Sequence, residues 1–185
     1  MKVALTGGIA CGKSLLSKFL DELGVETIDA DDVVHEIIPD PEERRRIAAE
    51  VFADPEKRRV LEAKLHPIVK ERIDQWFEGS GVSGSGVKIA IIPLLFEAHW
   101  EKNFDIICCV VSSREKQIER MTTTRGMTRA EAEARLAAQL PVEEKAKRSH
   151  YVIRNDGTAE ELKAQAVAFL KFVTQKQMQP KPPDD

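Results

Sequence analysis

A chain of 185 residues, 42% hydrophobic and 32% charged, is long enough to bury a sizeable core in one domain with a small inserted lobe. Its 28 basic and 31 acidic residues leave a formal charge of −3, so no global basic field favours nucleic acid and any anion site must be built locally. The longest apolar run, Ile89 to Phe96, is far below the roughly 20 residues of a bilayer span, and the stretch before the first motif is too short for a secretion signal. The cysteines Cys11, Cys108 and Cys109 have no zinc-type spacing, and the adjacent pair lies in an apolar run, which suits buried thiols in a reducing cytoplasm.

In chain order, Val3-Ala4-Leu5 predicts a short buried strand ended by Gly7-Gly8. A helical pattern runs from Lys13 to about Leu23, where Gly24 stops it. Val25 to Ile28 reads as a second strand, and Asp31 opens a helix bearing Val34, Ile37 and Ile38. Asp40-Pro41 and Asp54-Pro55 each place an N-cap before a proline at the first helical position, predicting helices from Pro41 to Phe52 and from Pro55 to about Lys64. His66-Pro67 precedes another, ending near Trp76, and Gly79 to Gly86 reads as a flexible loop. Val87 to Ile92 and Asp105 to Val111 are continuous apolar runs, as in parallel strands covered on both faces. Ser112-x-x-Glu115, Thr128-x-x-Glu131 and Thr158-x-x-Glu161 are capping boxes that open three helices. Tyr151 to Ile153 is a last strand, and the proline-bearing tail from Gln179 is expected to be disordered. Strands separated by helices give an α/β fold, a three-layer parallel sheet.

The segment Gly7-Gly8-Ile9-Ala10-Cys11-Gly12-Lys13-Ser14 fits G-x-x-x-x-G-K-[ST] between a predicted strand and a predicted helix. Glycines let the backbone wrap a phosphate with its N–H groups inward, and the following helix presents its positive end to the same anion. Lys13 would reach the β- and γ-phosphates, and the Ser14 hydroxyl would ligate Mg²⁺. Cys11 in such a loop is expected to react faster with alkylating agents than Cys108 or Cys109.

The second strand ends at Asp29-Ala30-Asp31-Asp32, on the edge of the sheet where the phosphate loop opens. A carboxylate there either accepts the proton of an attacking hydroxyl or caps the next helix. His35, one turn beyond Asp31, is either an acceptor-site residue or a surface histidine. Glu97, after the third strand, either orders the acceptor and senses the metal or caps a helix. Arg120, Arg125, Arg129 and Arg135 flank Gly126, as lid cations over the γ-phosphate or as a solvated helix face.

Together these segments resemble the dephospho-CoA kinase family over almost the whole chain. The resemblance is carried in series by Leu5-Thr6-Gly7-Gly8-Ile9, Gly12-Lys13-Ser14, Ile28-Asp29-Ala30-Asp31, Leu65-His66-Pro67-Ile68 and Pro93-Leu94-Leu95-Phe96-Glu97. Arg120, Arg125-Gly126, Arg135, Gln139 and Val152-Ile153-x-Asn155-x-Gly157 continue it. It implies a P-loop NTPase-type core in a single kinase domain spanning 1–185, with a helical acceptor-binding lobe at about 31–78 and a lid at about 114–140. It implies ATP and Mg²⁺, and transfer to the ribose 3′-hydroxyl of dephospho-CoA, the last step of coenzyme A synthesis. The catalytic residues would be Asp31 as base, Lys13 and Arg125. The nucleotide would meet Gly8, Ala10, Cys11, Gly12, Lys13, Ser14, Leu15 and Arg125, with Asn155 and Gly157 near the adenine. The acceptor would meet Asp31, His35, His66, Leu95, Glu97, Arg135 and Gln139, and Ser14 would hold the metal. A small-molecule substrate, a cytoplasmic monomer, and no nucleic-acid or membrane partner complete the expectation.

The chain departs from the family pattern in three places. Ala10 and Cys11 stand where Gly and Ser are usual, Leu15 stands where Thr is usual, and the segment between His35 and Phe52 is short. Loss of a threonine hydroxyl contact to the α-phosphate would weaken ATP binding by about 0.5–1.5 kcal/mol. Another P-loop kinase, acting on a nucleoside monophosphate or a polyol, is an alternative that Arg44-Arg45-Arg46 and Lys57-Arg58-Arg59 keep open. A nucleotide-dependent switch or binding protein is a third reading, with no recognisable switch segments.

Overall fold

The computed structural model describes residues 1–79 and 84–179, without the side chains of Phe52, Ala53 and Pro55. The middle of the predicted glycine-serine loop and the tail beyond Gln179 lie outside the described residues. The elements run β1 Val3–Gly7, α1 Lys13–Glu22, β2 Glu26–Asp29, α2 Ala30–Ile37, α3 Pro41–Ala53, α4 Pro55–Glu78 and β3 Lys88–Ile91. After a 3₁₀ turn at Glu101–Asn103 come β4 Ile106–Val111, α5 Arg114–Arg125, α6 Arg129–Ala137, α7 Val142–Lys147, β5 Tyr151–Arg154 and α8 Ala159–Met178.

The chain divides into two compact units, Met1–Thr27 with Val82–Asp185, and Ile28–Gly81. The first unit is built on the sheet, whose strand order is β2-β3-β1-β4-β5. β1 is central and wholly buried, and it pairs in parallel with β3 (Leu5 beside Ile91) and β4 (Leu5 beside Cys108). Its apolar run and that of β4 have no polar alternation because helices cover both faces. α1 buries Leu16 and Leu20, four residues apart on one face, and α8 buries Leu162, Ala166, Phe169 and Val173 at the same helical spacing. The Tyr151 ring packs between Phe169 and Phe172, with centroids 5.1 and 5.0 Å away. Gly24, at φ +77°, ends α1, and its carbonyl accepts bonds from Ser85 N and Ser85 Oγ at 3.0 Å each. That end of the predicted flexible loop is therefore pinned.

The second unit is helical. Asp29, Asp40 and Asp54 cap α2, α3 and α4, each accepting from the backbone N–H two residues on. Its buried side chains are few, among them Val33, Val69 and Ile73.

Three elements differ from expectation. α4 is one helix of 24 residues rather than two, with Pro67 inside it. Proline removes one N–H and crowds the previous turn, yet the helix runs through it from Pro55 to Glu78. The cap of α5 is Ser113, which accepts from Lys116 N, and not Ser112, whose hydroxyl donates to Asn155 O at 2.7 Å. α7 was not expected at all, since no side chain caps it. The other two capping boxes, at Thr128 and Thr158, are both formed.

Candidate active site

β1 ends at Gly7, where a Cβ would lie 2.2 Å from Val110 O, so the strand can press against β4 only as glycine. The loop then turns through Ala10 at φ +56° and Gly12 at φ +94°. Gly12 is the N-cap of α1 and offers no side chain of its own to the first N–H groups of the helix. This is the geometry that receives an anion. Lys13 Nζ crosses the loop and donates to Gly7 O at 3.1 Å and Gly8 O at 2.9 Å. Ser14 and Leu15 are exposed beside it.

The loop is braced from three sides. Asn155 is buried, and its side-chain amide donates to Cys11 O at 2.9 Å. The same amide nitrogen lies 2.1 Å from where a Cβ on Gly12 would sit. Asn155 thus spends its side chain on the loop. Gly157 sits just before the α8 cap, under the Glu161 carboxylate that closes the capping box. Arg120 donates to Ala10 O (3.1 Å), Ser112 Oγ (2.9 Å) and Asn155 O (2.7 Å), tying the phosphate loop to the ends of β4 and β5. Gln117 Nε2 donates to Ile9 O at 2.7 Å while Gln139 Oε1 accepts from Ile9 N at 3.2 Å, so the backbone of one loop residue is gripped on both sides, from α5 and from beyond α6. Ile9 and Ala10 also pack on a small core of Ile118, Met121 and Ala132. A cavity of about 470 Å³, lined by Ser112, Ser113, Lys147, Arg154 and Asp156 among others, shares Ser112 with this brace.

Cys11 is fully buried, and burial pushes its thiol above the ordinary range against the opposing pull of Lys13. The expected reactive loop thiol is corrected here: the side chain points into the core. Arg125 is exposed at the end of α5 with no hydrogen bond or ion pair among the described residues, and Arg135 is exposed on α6 near Glu131.

After β3, Ile92 N donates to Leu5 O at 2.8 Å, so the segment Pro93 to Glu97 runs alongside the loop's approach. Leu95 is fully buried, so its side chain packs in the core and an acceptor could meet it only through its backbone. Glu97 Oε1 pairs with Lys145 Nζ at 2.7 Å and accepts from Leu140 N at 3.0 Å. Lys145 has no exposed side-chain surface and also donates to Pro93 O at 3.0 Å.

Within the helical unit, the Asp29 carboxylate accepts from Asp31 N at 2.9 Å. Asp29 is therefore the cap, and the exposed Asp31 carboxylate is not used for capping. His35 Nδ1 lies 3.8 Å from Asp32 and not against Asp31. His66 is half-buried on α4. The basic runs pair locally: Arg44 donates to Ile38 O and Pro39 O, Arg58 pairs with Glu62, and Arg59 with Glu56.

Sequence reasoning missed Gln117, Lys145 and the bracing role of Arg120. A buried polar residue on a charged helix leaves no mark in the pattern, although glutamine at an otherwise apolar helix position is a signal available for Gln117.

The family model described as dephospho-CoA kinase matches residues 1–43 and 39–161. The dephospho-CoA kinase of Synechococcus sp. (strain JA-3-3Ab) is 36% identical over 203 residues, covering 88% of either chain. A crystal structure from Thermus thermophilus superposes with a TM-score of 0.76 at 29% identity, covering 94% of this chain and 97% of that one. The dephospho-CoA kinase of Campylobacter jejuni shares the fold, with a TM-score of 0.67 at 23% identity over 96% of this chain and all of its own. The phosphate loop alone fits many nucleotide enzymes; the extent of these matches narrows it, and the chain belongs to the dephospho-CoA kinase family.

Proposed function

We propose that the chain transfers the γ-phosphoryl group of ATP to the ribose 3′-hydroxyl of dephospho-CoA, giving coenzyme A and ADP. The observation that carries this reading is the phosphate loop, bent through Ala10 and Gly12 into a helix whose N-cap is a glycine. Phosphate oxygens fit those N–H groups. Lys13, now on the carbonyls of Gly7 and Gly8, turns to the phosphates and offsets the charge that spreads over the migrating group. Ser14 would hold Mg²⁺, which neutralises phosphate charge when bound. No group of three or more His, Cys, Asp or Glu among the described residues could cage a metal, and that suits an ion carried largely by phosphates. The cavity lined by Ser112, Arg154 and Asp156 suits a purine, with Asn155 and Gly157 adjoining its lining in the chain. Arg125 serves as the lid cation.

Asp31 takes the proton as the ribose oxygen bonds to phosphorus and ADP leaves with its bridging oxygen. Asp29 does the capping, which supports Asp31 in that role. His35, His66, Glu97, Arg135 and Gln139 belong to the acceptor side in this reading. The enzyme acts as a cytoplasmic monomer on a small-molecule acceptor. Among the described residues no helix is long and apolar enough to cross a membrane.

ADP release measured with dephospho-CoA, with nucleoside monophosphates and with no acceptor tests the reading. Turnover dependent on dephospho-CoA supports it, and turnover with another acceptor, or slow hydrolysis without one, replaces it. Asp31→Asn keeps the size of the side chain and loses the base, so turnover should fall about 10²–10⁴-fold with ATP affinity retained. A fall of less than about tenfold removes Asp31 as the base.

A further inference from the structure

Lys145 is a lysine with no exposed surface that none of the reading above uses. It lies on α7, which packs against β1 and β4 beneath the phosphate loop. Its three N–H bonds have little freedom: one goes to Pro93 O at 3.0 Å and one to Glu97 Oε1 at 2.7 Å. Pro93 O also takes the Thr6 hydroxyl at 3.4 Å, one residue before the loop glycines. Glu97 Oε1 also takes Leu140 N at 3.0 Å, next to Gln139, which accepts from Ile9 N. One ammonium thus joins three segments: the approach to the phosphate loop, the run after β3, and the return from α6.

Stability alone does not call for this arrangement. Buried ion pairs contribute little net stability over apolar replacements of similar volume, because desolvating both charges offsets their attraction. A tether has a different value. A reaction that needs atoms placed to within a fraction of an ångström can lose about 10²-fold from a 1 Å displacement that begins far from the chemistry.

We propose that Lys145 is a positioning residue for phosphoryl transfer. It holds the segment Pro93 to Glu97 and the return at Gln139 and Leu140 in register with the phosphate loop, and it does not itself touch either substrate. The proposal rests on the kinase reading. Arg148, three residues on, adds a second rung, pairing with Glu101 and lying 4.4 Å over the Phe96 ring.

The test is Lys145→Met, with Lys145→Arg beside it. In Lys145→Met, kcat should fall at least tenfold while KM for ATP stays within about threefold, at a temperature where circular dichroism shows the variant folded. Lys145→Arg keeps a cation on the same two acceptors and should recover most of the loss. A folded Lys145→Met with kcat within threefold of wild type overturns the proposal, as does a loss that Lys145→Arg does not relieve. If Lys145→Met does not fold, Lys145→Gln, which leaves the Glu97 carboxylate a neutral donor, is read against wild type and Lys145→Arg by the same criteria.

Amide hydrogen exchange gives a readout without substrate. Leu140 N–H should exchange at least tenfold faster in Lys145→Met, and unchanged exchange there also overturns the tether. A wild type that turns over no dephospho-CoA would sink the kinase reading and leave the exchange result standing.

Discussion

Ala10 stands in the phosphate loop at φ +56°, a conformation that costs a non-glycine residue about 1–2 kcal/mol. Glycine relieves that strain and adds about 0.4–1 kcal/mol of chain entropy to the unfolded state. Ala10→Gly should therefore gain up to about 1 kcal/mol in denaturant unfolding, and a loss would mean the loop is not strained there. Gly12→Ala should do the reverse. Its methyl would collide with the Asn155 amide, costing about 1–3 kcal/mol and loosening the loop, seen as lower stability together with weaker ATP binding. The three thiols should all resist alkylation at neutral pH. Cys11, Cys108 and Cys109 are free and buried; burial raises all three, and Cys109 reaches about 12. Mass-spectrometric mapping should find them labelled only in denaturant. The loop motif at Gly7 to Ser14 was legible because its residues act through backbone geometry tied to residue type. The direction of the Cys11 side chain was not, because depth beneath a loop is a tertiary property.

Pro67 marks the element where local rules misled. Proline in a helix interior costs about 3 kcal/mol relative to alanine, part of which it returns by stiffening the unfolded chain. Pro67→Ala should raise stability by about 2 kcal/mol, read as a higher melting temperature. No gain would show that the helix already bends to suit its neighbours. Strands β1 and β4 were readable because burial on both faces writes a continuous apolar run. α7 was not, since its six residues follow a proline without a cap, and Val142 and Lys145 are held by what they pack against. Ser112 and Ser113 show the same limit. Either could cap α5, and the bond from Ser112 to Asn155 O decides the matter from 43 residues away. Among the expected site residues, a carboxylate at the end of β2 could be base or cap from its position alone, and the bond from Asp31 N to the Asp29 side chain makes Asp29 the cap.

Across the whole molecule the apolar interior is unevenly shared. The sheet unit has a continuous core from Val3 through Val173, whereas the helical unit buries chiefly Ala30, Val33, Val69 and Ile73. Local opening follows such differences. Amides of α3 and of the first turns of α4 should exchange well before those of β1 and β4. Equal protection in both would mean the helical unit opens only with the whole. The surface ion pairs of α3 and α4 should do little to delay this, since exposed pairs contribute about 0–1 kcal/mol each.

The grip of Gln117 and Gln139 on the backbone of one residue has a consequence for engineering. Both roots of the α5–α6 hairpin are fastened at Ile9, and its far turn at Gly126 has nothing within 4 Å of an added Cβ. The hairpin is in effect a cartridge clipped in at its base. A change at its tip acts at Arg125, the proposed lid cation beside Gly126, and leaves the clip at Ile9 untouched.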